Sequence, residues 1–435
     1  MKVPVVVVGA GACGLVAALA AREAGADVLV LERDASPSGS TALSSGFIPA
    51  APTRFQRAAG VADSAQAMAA DIQRKNKGQA DPKIVHAVCR ASGPTLEWLA
   101  DTHGVPFQLV EGFLYPGHAA LRMHSVPEKT GAALMGSLLN AASRKDIDIL
   151  TSAHVTEVDG KSVKIERPDA SGEEIEYGSL VLACSGFGGN RAMVKQHLPE
   201  IADALYFGHA GNQGDALRWG SALGAALADL TAYQGHGSVA TPHGILITWA
   251  LMTEGGIQVN ERGERFSNEH LGYSEQCLPV LRQPGGVAWC VYDERLHQLG
   301  MTFPDYREAF RAGAVKPDPS FPLLGETLEK VRGYASGGQD PFGRDFSAKP
   351  ALAPPYYAIK VTGALFHTQG GLVVDEHARV LDRAGRPLPN LFAGGGAARG
   401  LSGSQVWGYL SGNGLLSALT LGRIAGASAA TLPRR

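Results

Sequence analysis

Residues 3–33 read VPVVVVGAGACGLVAALAAREAGADVLVLER, and this stretch decides the fold. Val5–Val8 is short, apolar and β-branched, which predicts a buried strand. Gly9-Ala10-Gly11-Ala12-Cys13-Gly14 supplies a G-x-G-x-x-G turn. An Ala/Leu-rich helix is predicted to about Ala24, with Gly25 as its stop. Val28–Leu31 reads as a second strand, and Glu32 closes it, eighteen residues after Gly14. In such a unit the first glycine permits a tight turn and the second lets a pyrophosphate approach the backbone. The third lets helix and strand pack closely. The helix start offers free N–H groups to phosphate, and the terminal acid accepts from a ribose hydroxyl. The stretch predicts a dinucleotide-binding α/β domain.

Outward from this unit, Pro37 to Gly46 is a run of small residues suited to wrap a flat cofactor. Residues 62–103 are mostly helical by pattern, and a further helix is expected over 127–144. Strands are expected at Ile147–Ser152 and at Ser162–Glu166, the latter in a hairpin closed at Asp159-Gly160. Leu180 to Gly188 reads as a strand running into a glycine turn. Strands alternating with helices predict a parallel sheet covered by helices. From about Thr231 to Phe366 the texture changes to charged turns, prolines and short strands. Val259 to Phe266 reads as a hairpin there, and residues 312–350 as a loop-rich surface. This organisation predicts a first domain in two parts, 1–230 and 367–435, with an inserted unit at 231–366. A final helix is expected over Asn413–Ala425. No internal repeat is present.

The 435 residues carry a net charge of −2 and no long basic run, so nothing in the charge supports nucleic-acid binding. No apolar stretch reaches the roughly 20 residues of a membrane span. The first strand begins at once, without a signal-peptide pattern, so a cytoplasmic protein is expected. The five cysteines show no paired spacing and read as reduced thiols. The histidines lack zinc-ligand spacing, so no metal is expected.

The chain resembles the FAD-dependent fumarate reductase and 3-ketosteroid dehydrogenase superfamily. The resemblance rests on the N-terminal glycine unit, Ser38 to Gly46, Leu182-Ala183-Cys184-Ser185-Gly186-Phe187 and Gly214-Asp215-Ala216. It continues through Val259 to Glu269, His367 to Leu372 and Leu391 to Gly396, in the family's order. It implies a Rossmann-like FAD domain of the fumarate reductase flavoprotein type carrying an inserted α+β capping domain, with substrate between cap and flavin. The implied FAD contacts start with Gly9, Gly11, Ala12, Cys13, Gly14, Glu32 and Arg33. They continue with Ser40, Thr41, Ser45, Gly46, Val155, Ala183, Ser185, Gly186, Asn190 and Asp215. The last are Gly370, Gly371, Gly395, Gly396, Gly412, Leu415 and Leu416. Ser40 stands where succinate dehydrogenases carry a flavin-bonded histidine, which implies non-covalent FAD. Gly396 replaces an acid common near the ribityl chain.

Within that resemblance the fumarate machinery is lost at four positions. Tyr273 stands for the catalytic arginine, Trp249 and Met252 for its proton relay, and Tyr409 for the carboxylate clamp. The replacements resemble 3-ketosteroid Δ1-dehydrogenases. There Tyr273 matches the general base, and Tyr409, with an N–H of Gly412 or Gly414, matches the ketone-holding pair. Tyr115 matches a tyrosine assisting the base. Thr248, His236 and His367 match substrate-carboxylate contacts. The implied activity is desaturation of a small cyclic ketone, an oxo-acid such as 4-oxocyclohexanecarboxylate, or a 3-ketosteroid. Tyr273 takes the α-proton, flavin N5 takes the β-hydride, and oxygen, a quinone or another acceptor reoxidises the flavin. The alternatives are a flavin ene-reductase of an unsaturated acid or ketone, and a non-catalytic flavoprotein.

Overall fold

The structure is a computed structural model that describes residues 2–431. Its main sheet has eight strands. A parallel run places 387–393, 172–182, 2–8, 28–31 and 148–150 side by side, and 379–381 lies antiparallel at the edge. The hairpin 154–158/162–166 folds back onto the first half of 172–182. Val8 therefore lies between Leu31 and Leu182, and the glycine turn opens at the carboxyl ends of these strands. That end is where doubly wound sheets place their ligands.

Helix Ala12–Glu23 packs along the final helix, Asn413–Ala430. The approach is close enough to demand glycine. A Cβ at Gly426 would come within 2.0 Å of Ala17 O, and one at Gly422 within 2.5 Å of Cys13 O. This contact ties the last segment of the chain to the first and brings residues 409–418 over the cofactor cleft.

A second sheet of seven strands has Tyr356–Thr368 as its spine. Tyr233–Ala240 and Val287–Asp293 flank it, and both pair antiparallel with it. It also takes Leu205–Tyr206, upstream of the expected boundary at residue 230. A small sheet of Ile48–Pro49, Met123–Ser125 and Gln108–Leu109 lies beside the junction. The second apolar core draws in Phe47, Phe113 and Met123 together with Tyr273 and Tyr409, so the wall between the two sheets is continuous with the cap's core.

Local signals account for the element ends. The helical stretch 62–103 is two helices, Ala65–Lys75 capped by Ser64 and Pro82–Asp101 capped by Asp81. The helix expected from 127 begins only at Gly131, where the Thr130 hydroxyl accepts from Ala133 N–H. The 312–350 stretch is less loop-like than its composition suggests. It holds a helix, Leu324–Ala335, with Leu324, Leu328 and Val331 buried at helical spacing, and that periodicity outweighs the surrounding Pro and Gly.

Candidate active site

One long cavity runs from the glycine turn to the cap sheet. At its nucleotide end stand Gly9, Gly11, Ala12, Cys13, Glu32, Arg33, Ser40, Thr41, Ser45, Gly46 and Val155. Ala183, Ser185, Asp215, Gly395, Gly396, Gly412 and Leu415 line it further along. The fit to a dinucleotide is visible at Gly11. A Cβ there would meet only Thr41 Oγ1, at 3.7 Å, so protein contacts do not require glycine, whereas a phosphate lying on that face does. Helix Ala12–Glu23 has no side-chain cap from Gly11, and Thr41 Oγ1 accepts from Ala12 N–H at 3.2 Å. The remaining first-turn N–H groups face the cleft as an anion site. Glu32 is held by Ala10 N–H and Asp34 N–H, at 2.8 and 3.0 Å, which fixes its carboxylate at the mouth.

Six expected cofactor contacts stand off the cavity wall, and packing explains each. A Cβ at Gly14 would fall 1.8 Å from Gly9 O, and one at Gly186 2.1 Å from Thr368 Oγ1. A Cβ at Gly370 would fall 2.3 Å from Asp229 O, and one at Gly371 2.6 Å from Ala397 O. Asn190 caps helix Arg191–His197 by accepting from Met193 N–H. Leu416 is wholly buried on the core side of the last helix.

At the cap end the three tyrosines Tyr115, Tyr273 and Tyr409 come together with His236, Thr248, His367 and Gly414 on one wall. Their spacing in the chain is wide, so the assembly is tertiary. Tyr273 follows the short turn Glu269–Leu271, and its carbonyl accepts from Gly237 N–H at 3.0 Å, which pins it to the cap strand. Tyr409 leads into the final helix. The Tyr273 and Tyr409 rings are 6.1 Å apart, and each hydroxyl lies close enough to the other to shift its proton affinity. Ser411 and the N–H of Gly412 also reach the Tyr273 oxygen. Gly414 N–H lies 3.5 Å from the Tyr409 oxygen, so both glycines serve this cluster. Burial pushes the Tyr273 phenol up to about 12, opposed by its bonds to Ser411, Tyr409 and Gly412. Burial raises Tyr409 further, and the nearby Tyr273 oxygen adds to that.

Tyr115 stands beside the pair. Its ring meets Tyr273 edge-on at 6.1 Å, and Thr248 beside its hydroxyl partly offsets the effect of burial. Burial raises its pKa, so it stays a neutral phenol beside the base. His236 and His367 are neutral as well. Burial pushes them down to about 3 and about 4. Ser238 N–H donates to His236 Nδ1 at 3.1 Å, which leaves the proton on Nε2. His367 packs against Gly414, where a Cβ would come 2.7 Å from the ring Nε2, and its Nδ1 is 2.9 Å from Gln369 Nε2. Arg33, at the nucleotide end, is the sole Lys or Arg among the described residues lining the cavity. The cap end therefore offers neutral donors and aromatic walls, including Phe47, Trp249 and Phe366, but no countercharge for a dicarboxylate.

Two supports were not read from the sequence. Ser411 carries no motif of its own; its only signal is a place two residues after Tyr409 in the same glycine-rich loop. The second is a buried ion cluster behind Tyr273. Arg265 pairs with Glu269 at 2.7 Å and Asp340 at 2.6 Å, and Arg344 reaches Glu269 at 3.1 Å. Glu269 also accepts from Gln258 N–H at 3.0 Å, and the two arginines hold its carboxyl down at about 2 despite full burial. Asp340 and Arg344 lie some seventy residues from Glu269, beyond any local pattern.

Among the described residues no group of His, Cys, Asp and Glu is arranged to hold a metal, and no helix is long and apolar enough to cross a membrane. All five cysteines are free thiols. The chain is 29% identical to a probable fumarate reductase of Shewanella frigidimarina, over 98% of this chain and 74% of that protein. It is 27% identical to a 4-oxocyclohexanecarboxylate 2-dehydrogenase of Sinomonas cyclohexanicum, over 97% of this chain and 92% of that protein. Its fold matches the solved 3-ketosteroid-Δ4-(5α)-dehydrogenase of Rhodococcus jostii with a TM-score of 0.78 and 26% identity. That match covers 99% of this chain and 97% of the other. By name these relatives include both a reductase and dehydrogenases. The family model of the FAD binding domain matches residues 4–415, and the chain belongs to that family as an FAD-dependent oxidoreductase acting on CH–CH groups.

Proposed function

We propose that this enzyme desaturates a small cyclic ketone next to its carbonyl. One observation carries the reading: a close tyrosine pair, Tyr273 and Tyr409, ringed by Ser411, Gly412 and Gly414, closes a cavity end without a cation. Such a site suits a neutral carbonyl compound whose charge develops only during reaction. Tyr409 O–H and a glycine N–H hold the ketone oxygen and stabilise the developing enolate, as oxyanion donors do. The α C–H bond breaks and its proton passes to the Tyr273 oxygen. The Ser411 hydroxyl favours the ionised form of Tyr273, the phenolate that accepts this proton once the phenolic proton has left to solvent. When bound, FAD supplies the two-electron oxidant that takes the β-hydrogen as hydride, leaving an enone. Phe47, Trp249 and Phe366 exclude water around the ring carbons.

A second reading is the reverse reaction. The protonated phenol of Tyr273, held at about 12, is also the acid that an ene-reductase requires. Anaerobic mixing separates the two. A desaturase's oxidised flavin bleaches with cyclohexanone-type ketones. A reductase's reduced flavin is reoxidised by enones or unsaturated acids, while saturated ketones leave the oxidised form untouched. Including 4-oxocyclohexanecarboxylate in the panel tests whether neutral His236 and His367 suffice for a carboxylate.

A further inference from the structure

The Ser411–Gly412 peptide faces two ways. A trans peptide points its C=O and N–H in opposite directions. Its N–H, on Gly412, lies on the same cavity wall as Tyr273 and Tyr409 and favours the ionised form of both hydroxyls. Its C=O, on Ser411, lies 3.0 Å from Nε2 of His118. A carbonyl only accepts, so Nε2 carries the proton and donates. His118 is buried, and its Nδ1 has no hydrogen-bond partner among the described residues, which leaves the Ser411 carbonyl as the ring's one polar contact. Burial and the charge of Arg122 push the ring's pKa down to about 4, so the imidazole is neutral at working pH.

The backbone alone does not choose this orientation. Gly412 sits at φ +85°, and glycine accepts either orientation of the peptide before it. No side chain can replace it, since a Cβ would meet Pro49 Cδ at 2.5 Å. The site thus needs the one residue type that also permits the peptide to turn over, and an external hold is required to keep the N–H aimed.

We propose that His118 is a positioning residue that locks the Ser411–Gly412 peptide and aims the Gly412 N–H at the oxyanion site. It touches no substrate and acts through the Ser411 carbonyl. The inference rests on the proposed ketone chemistry for the identity of the oxyanion, but not for the geometry of the lock.

Three variants test it on the FAD-loaded protein. In His118→Gln the amide nitrogen reaches about where Nε2 lies and still donates. His118→Asn is too short, and His118→Leu has no donor. The probe is 4-nitrophenolate, an anionic mimic of an enolate, titrated against the oxidised protein by its absorbance. Wild type and His118→Gln should bind it within about threefold of each other. The Asn and Leu variants should bind about tenfold or more weakly, the scale of a lost bond to a charged acceptor. With a ketone substrate, their kcat should fall by a similar factor while KM stays within about threefold. If His118→Leu does not fold, the Gln-against-Asn contrast still decides. Equal behaviour of all variants, or a wild type that does not bind the phenolate, overturns the lock. A wild type that shows this binding ladder yet oxidises no ketone keeps the lock and removes the ketone reading.

Discussion

The imidazole of His236 lies flat against the phenol of Tyr273, with centroids 4.6 Å and planes 18° apart. The stack fixes the tyrosine ring without giving it a positive neighbour, because burial keeps His236 neutral. The phenol's reactivity therefore rests on hydrogen bonds from Ser411, Tyr409 and Gly412 rather than on a cation. That arrangement makes the tyrosine pair the first target for substitution.

Tyr273→Phe keeps the stack on His236 and removes one oxygen. Folding and FAD content should be unchanged, and turnover should fall about 10²–10⁴-fold, the usual cost of losing a general acid or base. Steady-state rates with the best ketone check this. Activity within about threefold of wild type removes Tyr273 from the chemistry.

Tyr409→Phe should act on kcat. An oxyanion donor stabilises charge that exists only near the transition state, so kcat should drop about 10²–10³-fold with little change in KM. A rise in KM at constant kcat shows instead that Tyr409 binds the ground state, as a stand-in for a carboxylate clamp.

FAD should leave the polypeptide on acid precipitation. Ser40 accepts from His209 N–H at 3.0 Å and from Asn212 Nδ2 at 2.8 Å, so it serves as a tether for the loop at the nucleotide end. Yellow colour remaining in the washed pellet refutes non-covalent attachment.

Stability should fall as pH drops from about 6.5 towards 4. His118 and His124 are buried neutral, with pKa values pushed down to about 4 by burial. In the unfolded chain they take up protons near 6.5, so between the two values the unfolded state binds more protons and gains on the native one. Each unit of separation is worth about 1.4 kcal/mol. Glu269 follows at lower pH, since its carboxyl is held at about 2. Urea midpoints at pH 7, 5.5 and 4.5 measure the effect, and a flat series over that range contradicts it.

Arg344→Met should destabilise the cap by about 3–5 kcal/mol, the cost of leaving a buried ion pair without one partner. Arg344 bonds Glu269, Met252 O and Gly256 O, and all three lose a donor. Turnover per folded molecule should fall too, because Glu269 anchors the turn that carries Tyr273. Thermal melts alongside active-site titration check both. An unchanged melting temperature discounts the cluster.

Much of this protein was legible in its sequence, because the controlling forces there are local. The strand, glycine turn and helix of residues 3–33 follow from apolar period, backbone freedom and helix-end chemistry, all set within one contiguous segment. The composition break near residue 231 marked the change of texture, although the cap sheet also recruits Leu205–Tyr206 through a pairing no local pattern records. The tyrosines were found through a resemblance rather than through their own chemistry, since a lone Tyr in a sequence carries no sign of its surroundings. Only the tertiary structure decided that Tyr115 meets Tyr273 edge-on, that Ser411 joins the tyrosine pair, and that Asp340 and Arg344 close a buried cluster on Glu269. It also decided that the cap end of the cavity holds neutral histidines. The physical reason is the same in each case. Burial and hydrogen-bond direction depend on which distant segments the two sheets bring together, and those set charge and proton affinity at the site.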